Sequence, residues 1–184
     1  LILRYTLCIA GAPALSKEKF KDFKPKTIIG MTMRVTLPLG EYDSDKVINL
    51  GSNRWVFSPQ IGVWHRWGHF TLEGYTGLWF FTDNRDFLGG QVRSQQPLLT
   101  FQLHASYEFG NGLWIAASTR QSLGGEVRVD NANPLDPESN NRLGLSVSIP
   151  IGRNYLIKLL ATTGVSATVG NNYDTLSLVW QVVF

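Results

Sequence analysis

The sequence of 184 residues has no apolar segment long enough to form a membrane-spanning helix. Such a helix needs about 18 or more consecutive, mostly apolar residues. Here Arg, Glu, Gly, Thr or Gln interrupts every apolar run. Charged residues are also scarce, at 17% of the chain, whereas soluble globular domains have about 25%. The composition excludes a helical membrane protein and is unusual for a soluble domain.

Several signals of other protein classes are also missing. The single cysteine, Cys8, cannot form an internal disulfide. The formal charge of +3 is modest and spread along the chain, so we expect no nucleic-acid partner. The acidic run DNRD at 83–86 lacks the spacing of a metal-binding loop, and we expect neither a metal nor a cofactor. The run that starts at Leu1 shows no basic segment and no cleavage site of an export signal.

What the sequence does contain is alternation with a period of two. The clearest case is LLTFQLHASYEF, in which Leu99, Phe101 and Leu103 alternate with Thr100 and Gln102. In a β-strand this period places apolar and polar side chains on opposite faces. Similar stretches recur along the chain and predict about nine strands: 3–9, 29–37, 54–65, 70–82, 99–109, 113–121, 143–149, 155–165 and 173–184. Each strand is long enough to cross an apolar band of about 25 Å when tilted.

The links between these strands alternate in length. RWGH, FGNG and PIGRN are tight turns, whereas the links near 41–53, 83–96 and 124–140 are long and polar. Outer-membrane barrels have short periplasmic turns and longer external loops. The sequence therefore predicts one all-β domain over 1–184, an antiparallel up-and-down transmembrane β-barrel in the bacterial outer membrane. On this direction, Trp180 and Phe184 end the last strand at the periplasmic rim.

Two features depart from that regular pattern. The 11–26 link is predicted to be periplasmic but is long, and Ser16 followed by KEKFKDFK predicts a short amphipathic helix that packs at the rim or contacts a partner. In addition, a meander of nine strands has parallel first and last strands, whereas bacterial single-chain barrels have even strand numbers. We therefore expect this chain to be part of a larger, even-stranded barrel that has further strands at its amino end.

The sequence resembles the outer-membrane transporter family labelled "MetA-pathway of phenol degradation". The resemblance rests on collinear motifs over nearly the whole chain: GAPALS, PLGEYDSDKVINLGSNRW, WFFTDNRDF, SYEFGNGLW, KLLATTGV and DTLSLVWQ. It implies a barrel associated with uptake of aromatic or other hydrophobic compounds in Gram-negative bacteria. It also implies a signal peptide and further strands before the first strand of this chain. It also implies that the barrel-assembly machinery reads an aromatic ending such as Trp180 and Phe184 as an insertion signal. The family supplies no established binding residues.

Alternation places a set of polar and aromatic side chains on the face away from lipid. They are excluded from the lipid face because a charge at the bilayer midplane costs about 2–4 kcal/mol. They form either an interior hydrogen-bonding network or a selectivity surface along a solute path. The set consists of Arg34, Arg54, Gln60, Glu73, Tyr75, Trp79, Gln102, His104, Glu108, Arg120, Arg142 and Lys158.

Within this set, Arg120 and Arg142 are expected on adjacent strands near the outer mouth, where they would favour anions. His104 and Ser106 lie about 7 Å apart along one strand without a third catalytic group, so an enzyme is not expected. The leading hypothesis is a pore for small hydrophobic or aromatic solutes. The alternatives are a structural or interaction barrel with a filled lumen, and a soluble binding barrel of lipocalin type.

Overall fold

The computed structural model describes residues 1–152, 154–170 and 172–182, excluding the side chains at positions 17, 20 and 21. Its main feature is a nine-stranded sheet in which every neighbouring pair is antiparallel. In spatial order these strands are β1 (Ile2–Ala10), β2 (Thr27–Thr36), β3 (Val56–Trp67), β4 (Phe70–Phe81), β7 (Leu98–Glu108), β8 (Trp114–Gly124), β10 (Glu138–Ile151), β11 (Tyr155–Ser166) and β12 (Thr175–Val182). The predicted nine-stranded antiparallel meander is confirmed.

The sheet is open at β1 and β12. Within the described residues each of these strands pairs with one neighbour only, β2 and β11 respectively. The predicted absence of an antiparallel seam between the first and last strands agrees with this arrangement. Membership of a larger barrel stays a prediction.

The two faces of the sheet differ sharply in polarity. Cross-strand pairing puts Leu103 and Leu145 on one face, called the outer face, and Gln102 and Arg120 on the other, called the inner face. The outer face exposes its apolar side chains, and Leu145 is 68% exposed. Among the described residues, Val56 is the only buried hydrophobic side chain. Exposed leucines with no apolar core beneath them are expected of a surface that contacts lipid.

The total exposed surface supports the same conclusion. The chain exposes 12709 Å², whereas a compact soluble protein of 20.6 kDa exposes about 8,900 Å² by the usual scaling with mass. The difference arises because the chain forms a single layer of sheet rather than two packed layers. No helix among the described residues is long and apolar enough to span a membrane.

The connections alternate in length as the sequence predicts. Tight turns join β3 to β4, β7 to β8 and β10 to β11, and Gly68, Gly112 and Gly152 adopt positive φ values in them. Glycine suits these positions because its missing Cβ makes a positive φ accessible. The opposite edge carries the long links.

The predicted helix in the 11–26 link is present as α1 (Lys17–Asp22), and the Lys19 amide donates a hydrogen bond to Ser16 Oγ over 3.4 Å.

A second, smaller sheet forms within the long links, where the sequence predicted loops. It consists of β5 (Asn84–Phe87), β6 (Gln91–Gln95) and β9 (Val127–Val129), in the order β5-β6-β9. β6 pairs with β9 across two different links, from Arg93↔Val129 to Gln95↔Val127. The sequence did not predict these short strands, because they form by backbone pairing between distant segments of the polar links. We call this three-stranded sheet and the 37–55 link the external cap.

Aromatic side chains gather at the edge with the tight turns. The ring of Tyr107 lies 5.8 Å from that of Phe70 and 4.9 Å from that of Phe109. The rings of Tyr155 and Trp180 are 5.5 Å apart, at the ends of β11 and β12. Aromatic girdles of this kind lie at the membrane interface of outer-membrane barrels. Phe184, the other residue of the expected insertion signal, lies outside the described residues.

Candidate functional site

The candidate site is the inner face of the nine-stranded sheet. The register of the strand pairs places most of the sequence-predicted lumen residues there: Arg34, Gln60, Glu73, Tyr75, Trp79, Gln102, His104, Glu108, Arg120, Arg142 and Lys158. Arg54 is different. β3 begins at Val56, so Arg54 lies in the preceding link, and its side chain is largely buried over the Phe81 ring at the external end of the inner face. Its predicted place on the strand was wrong because the alternation was extended two residues too far.

One register row crosses the middle of the inner face. Tyr75 pairs with Gln102, Gln102 with Arg120, and Arg120 with Arg142. The row therefore joins an aromatic ring, an amide and two guanidinium groups on four adjacent strands. Such side chains can donate hydrogen bonds to a polar solute and stack on an apolar ring.

The two arginines of this row have different surroundings. Arg142 Nη2 donates hydrogen bonds to the Tyr173 carbonyl oxygen over 2.7 Å and to Thr162 Oγ1 over 3.1 Å. Its guanidinium lies 4.1 Å from the centroid of the Tyr173 ring. Arg120 is exposed and has no side-chain partner within the described residues. Both line a cleft of about 290 Å³.

One carboxylate, that of Glu138, lines the same cleft. Even so, neither guanidinium forms an ion pair among the described residues, whose ion pairs are Lys46–Asp43 and Arg66–Glu108. The cleft therefore combines two cations with one carboxylate. Its local charge remains positive.

A second cleft of about 390 Å³ lies on the tight-turn side of this row. Glu73 on β4 pairs with His104 on β7, and the Tyr75 hydroxyl donates a hydrogen bond to Glu73 Oε2. The rings of Tyr75 and His104 meet edge to face, with centroids 5.9 Å apart. The cleft thus already contains a phenol hydroxyl bound to a carboxylate.

Gly62 gives the Tyr75 ring its place on the inner face. Gly62 is the β3 partner of Tyr75. A Cβ atom added at Gly62 would overlap this ring, at 2.6 Å from its Cε1 atom. The absence of a side chain on β3 therefore lets the ring lie flat across the neighbouring strand.

The remaining inner-face charges lie nearer the tight turns. Arg66 Nη2 donates to Glu108 Oε2 over 2.6 Å, and both side chains are partly exposed. Lys158 pairs in register with Ser148, whose hydroxyl is fully buried and has no hydrogen-bond partner in the described structure. These residues form part of a polar wall, and the roles of all predicted site residues remain predictions.

Near the external cap, two further arginines lie over aromatic rings. The Arg34 guanidinium is 5.2 Å from the centroid of the Trp79 ring, and that of Arg54 is 4.4 Å from the Phe81 ring. Arg54 Nη2 donates to Gln95 Oε1 over 2.6 Å, and Gln95 Nε2 donates to the Gly125 carbonyl oxygen over 3.0 Å. Burial and the nearby Arg93 lower the pKa of Arg54 to about 10, which leaves it charged at neutral pH.

The external cap is held by the buried side chain of Asn84, which is 2% exposed. Asn84 Oδ1 accepts from Asn53 Nδ2 and from the Asp86 amide, and Asn84 Nδ2 donates to the Tyr42 hydroxyl over 2.7 Å. Tyr42 in turn donates to the Asp86 carbonyl oxygen. One asparagine therefore joins the first two long links.

The first long link also contains an ion pair. Lys46 lies 2.8 Å from Asp43 and lowers the pKa of the Asp43 carboxyl group.

His104 and Ser106 share the inner face, but no hydrogen bond joins their side chains. No group of three or more His, Cys, Asp or Glu residues in the described part of the chain could hold a metal ion.

Together, the apolar outer face, the polar inner face and the antiparallel meander define the wall of an outer-membrane β-barrel. Residues 9–181 match the family described as "Putative MetA-pathway of phenol degradation", and the chain belongs to that family. A solved structure, the outer membrane channel from Pseudomonas putida F1, has a similar fold, with a TM-score of 0.79 and 20% sequence identity. That match covers 99% of this chain but 66% of the channel, slightly under two thirds of its length. No curated protein matches the chain.

Proposed function

We propose that this chain forms the wall of an outer-membrane pore through which small hydrophobic or aromatic compounds pass. The observation that carries the proposal is the inner-face row of Tyr75, Gln102, Arg120 and Arg142, opposite a continuous apolar outer face. An inner face with both aromatic and hydrogen-bonding groups suits solutes that have a ring and one polar substituent. The family description names phenol degradation, and the structural neighbour is called a channel.

A second candidate is a structural or interaction barrel whose lumen is filled by side chains. It is favoured by the contacts that inner-face residues already make: Arg66 with Glu108, Tyr75 with Glu73, and Arg142 with the Tyr173 carbonyl group. A network of this kind can rigidify a barrel without leaving a path. Insertion by the barrel-assembly machinery is part of both proposals.

Planar-bilayer recordings of the full-length protein separate the two candidates. A pore gives stepwise ion currents, and an aromatic solute that enters it reduces the current in a concentration-dependent way. Phenol is the test solute, with cyclohexanol as a control of similar size that lacks the aromatic ring. Current reduced by phenol more than by cyclohexanol supports the pore for aromatic compounds. Folded, inserted protein without conductance contradicts it and supports the filled barrel.

A further inference from the structure

Two arginine–aromatic pairs lie at the external end of the inner face. Trp79 and Phe81 are two residues apart on β4, on the same face, and therefore about 7 Å apart along the strand. Arg34 from β2 lies over Trp79, and Arg54 from the link before β3 lies over Phe81. Two cations and two rings thus form one continuous surface.

Both guanidinium groups have buried N–H groups without a hydrogen-bond partner in the described structure. Arg54 is 9% exposed, and its Nη2 donates to Gln95, but its Nε and Nη1 are buried without a partner in the described structure. The buried Nε of Arg34 is likewise unpaired. A buried polar group without a partner costs about 1–3 kcal/mol, and more when the group is charged. Guanidinium donors recognise planar, oxygen-rich acceptors such as carboxylates.

No acidic side chain of the described residues neutralises the positive charge at this place. No carboxylate of the described residues lies within 4.0 Å of Arg34 or Arg54. Instead, Arg4 pairs in register with Arg34, and Arg93 repels Arg54 electrostatically. Cations grouped without acids create a positive potential that attracts anions.

We propose that Arg34, Arg54, Trp79 and Phe81 form a binding site for a small aromatic carboxylate. The carboxylate accepts hydrogen bonds from the unpaired guanidinium N–H groups, and the ring of the ligand packs beside Trp79 and Phe81. Arg34 is less buried than Arg54 and makes the first contact. The site rests on the proposed function, because a pore wall is what gives a solute access to this face.

Calorimetric titration of the full-length protein in detergent micelles tests the site, with benzoate as the probe. Acetate has the carboxylate without the ring, benzyl alcohol has the ring without the charge, and inorganic phosphate is an anion of different geometry. We expect benzoate to bind more tightly than all three. Arg34→Gln and Arg54→Gln should each weaken benzoate binding by about tenfold or more, because each removes charge-assisted hydrogen bonds.

Two further variants test whether benzoate is recognised by the planar guanidinium groups of this site or only attracted by positive charge. Arg34→Lys keeps the charge but loses the planar donor group, so its benzoate affinity should also fall. Arg128→Gln removes an exposed positive charge from β9 in the external cap and should leave benzoate binding unchanged. If Arg54→Gln does not fold, as judged by strand content in circular dichroism, Arg34→Gln and Arg54→Lys decide the question.

Benzoate affinity that is unchanged in the Arg34→Gln and Arg54→Lys variants overturns the site. So does binding of acetate or phosphate as tight as that of benzoate, because the ring would then contribute nothing. Bilayer currents measured on the same preparation distinguish failure of the benzoate site from failure of the proposed pore. Protein that conducts ions but does not bind benzoate refutes the site alone, and protein that binds benzoate without conducting refutes the pore alone.

Discussion

Replacing Gly62 with alanine tests how the aromatic ring of Tyr75 is held on the inner face. The new Cβ atom would overlap the ring, so Tyr75 must rotate away. Rotation breaks the hydrogen bond from the Tyr75 hydroxyl to Glu73. A hydrogen bond to a charged group contributes about 1.5–3 kcal/mol, and the lower part of that range applies because these side chains are only partly buried.

An opposing effect reduces the expected loss. Exchanging glycine for alanine lowers the conformational entropy of the unfolded chain and stabilises a protein by about 0.4–1 kcal/mol where the site is unstrained. We therefore expect Gly62→Ala to lower the free energy of unfolding by about 1 kcal/mol. Urea titration of the full-length protein in lipid vesicles, followed by tryptophan fluorescence, measures this quantity.

Two controls show whether the ring is the cause. Gly74→Ala adds a Cβ atom whose nearest neighbour, Leu103 Cδ1, is 3.9 Å away, so it should cost little. In a Tyr75→Ala background, Gly62→Ala should be neutral or slightly stabilising, because no ring is displaced. An equal loss from Gly62→Ala in both backgrounds would refute the reasoning and assign the cost to the backbone.

Three further predictions concern the lipid face, the inner charges and the cap. Leu145→Arg places a charge on the exposed outer face and should lower the free energy of unfolding in vesicles by about 2–4 kcal/mol; a loss below 0.5 kcal/mol, typical of tolerant surface sites, would place this residue away from lipid. Replacing both Arg120 and Arg142 with Gln should reduce anion preference, and unchanged reversal potentials in a salt gradient would make these arginines structural. Asn84→Ala should speed trypsin cleavage in the external cap while strand content is retained; Asn133→Ala, an exposed change in the same region, is the control, and equal cleavage rates would refute the role of Asn84.

The strands could be predicted because their signal is local. Lipid lies on one side of a barrel wall and polar groups on the other, so each residue reports its own face through its chemistry. The alternation of apolar and polar residues therefore predicted the nine strands and which side chains of each register row lie on the inner face. The signal weakens where a strand leaves the apolar band. β10 therefore begins at Glu138 rather than at the predicted Leu143, because its first residues are polar on both faces.

The external cap and the surroundings of Arg54 could not be predicted for the opposite reason. β6 and β9 are short and more than 30 residues apart, and their pairing depends on contacts that no periodicity records. Arg54 and its partner Gln95 are separated by 41 positions. The role of Gly62 is likewise visible only when Tyr75 is seen to lie across it.

The most direct test of the account is a measurement of which residues face lipid. A fluorescent probe is attached to a cysteine at Leu145 or at the adjacent Ser146 in full-length protein whose Cys8 is replaced by Ser, reconstituted in vesicles. Quenching by nitroxide groups on lipid chains and by a water-soluble quencher is compared. The account predicts that the probe at 145 is quenched by the lipid nitroxides and the probe at 146 by the soluble quencher. The reverse pattern, or equal quenching at both positions, would contradict a barrel wall with an outward apolar face.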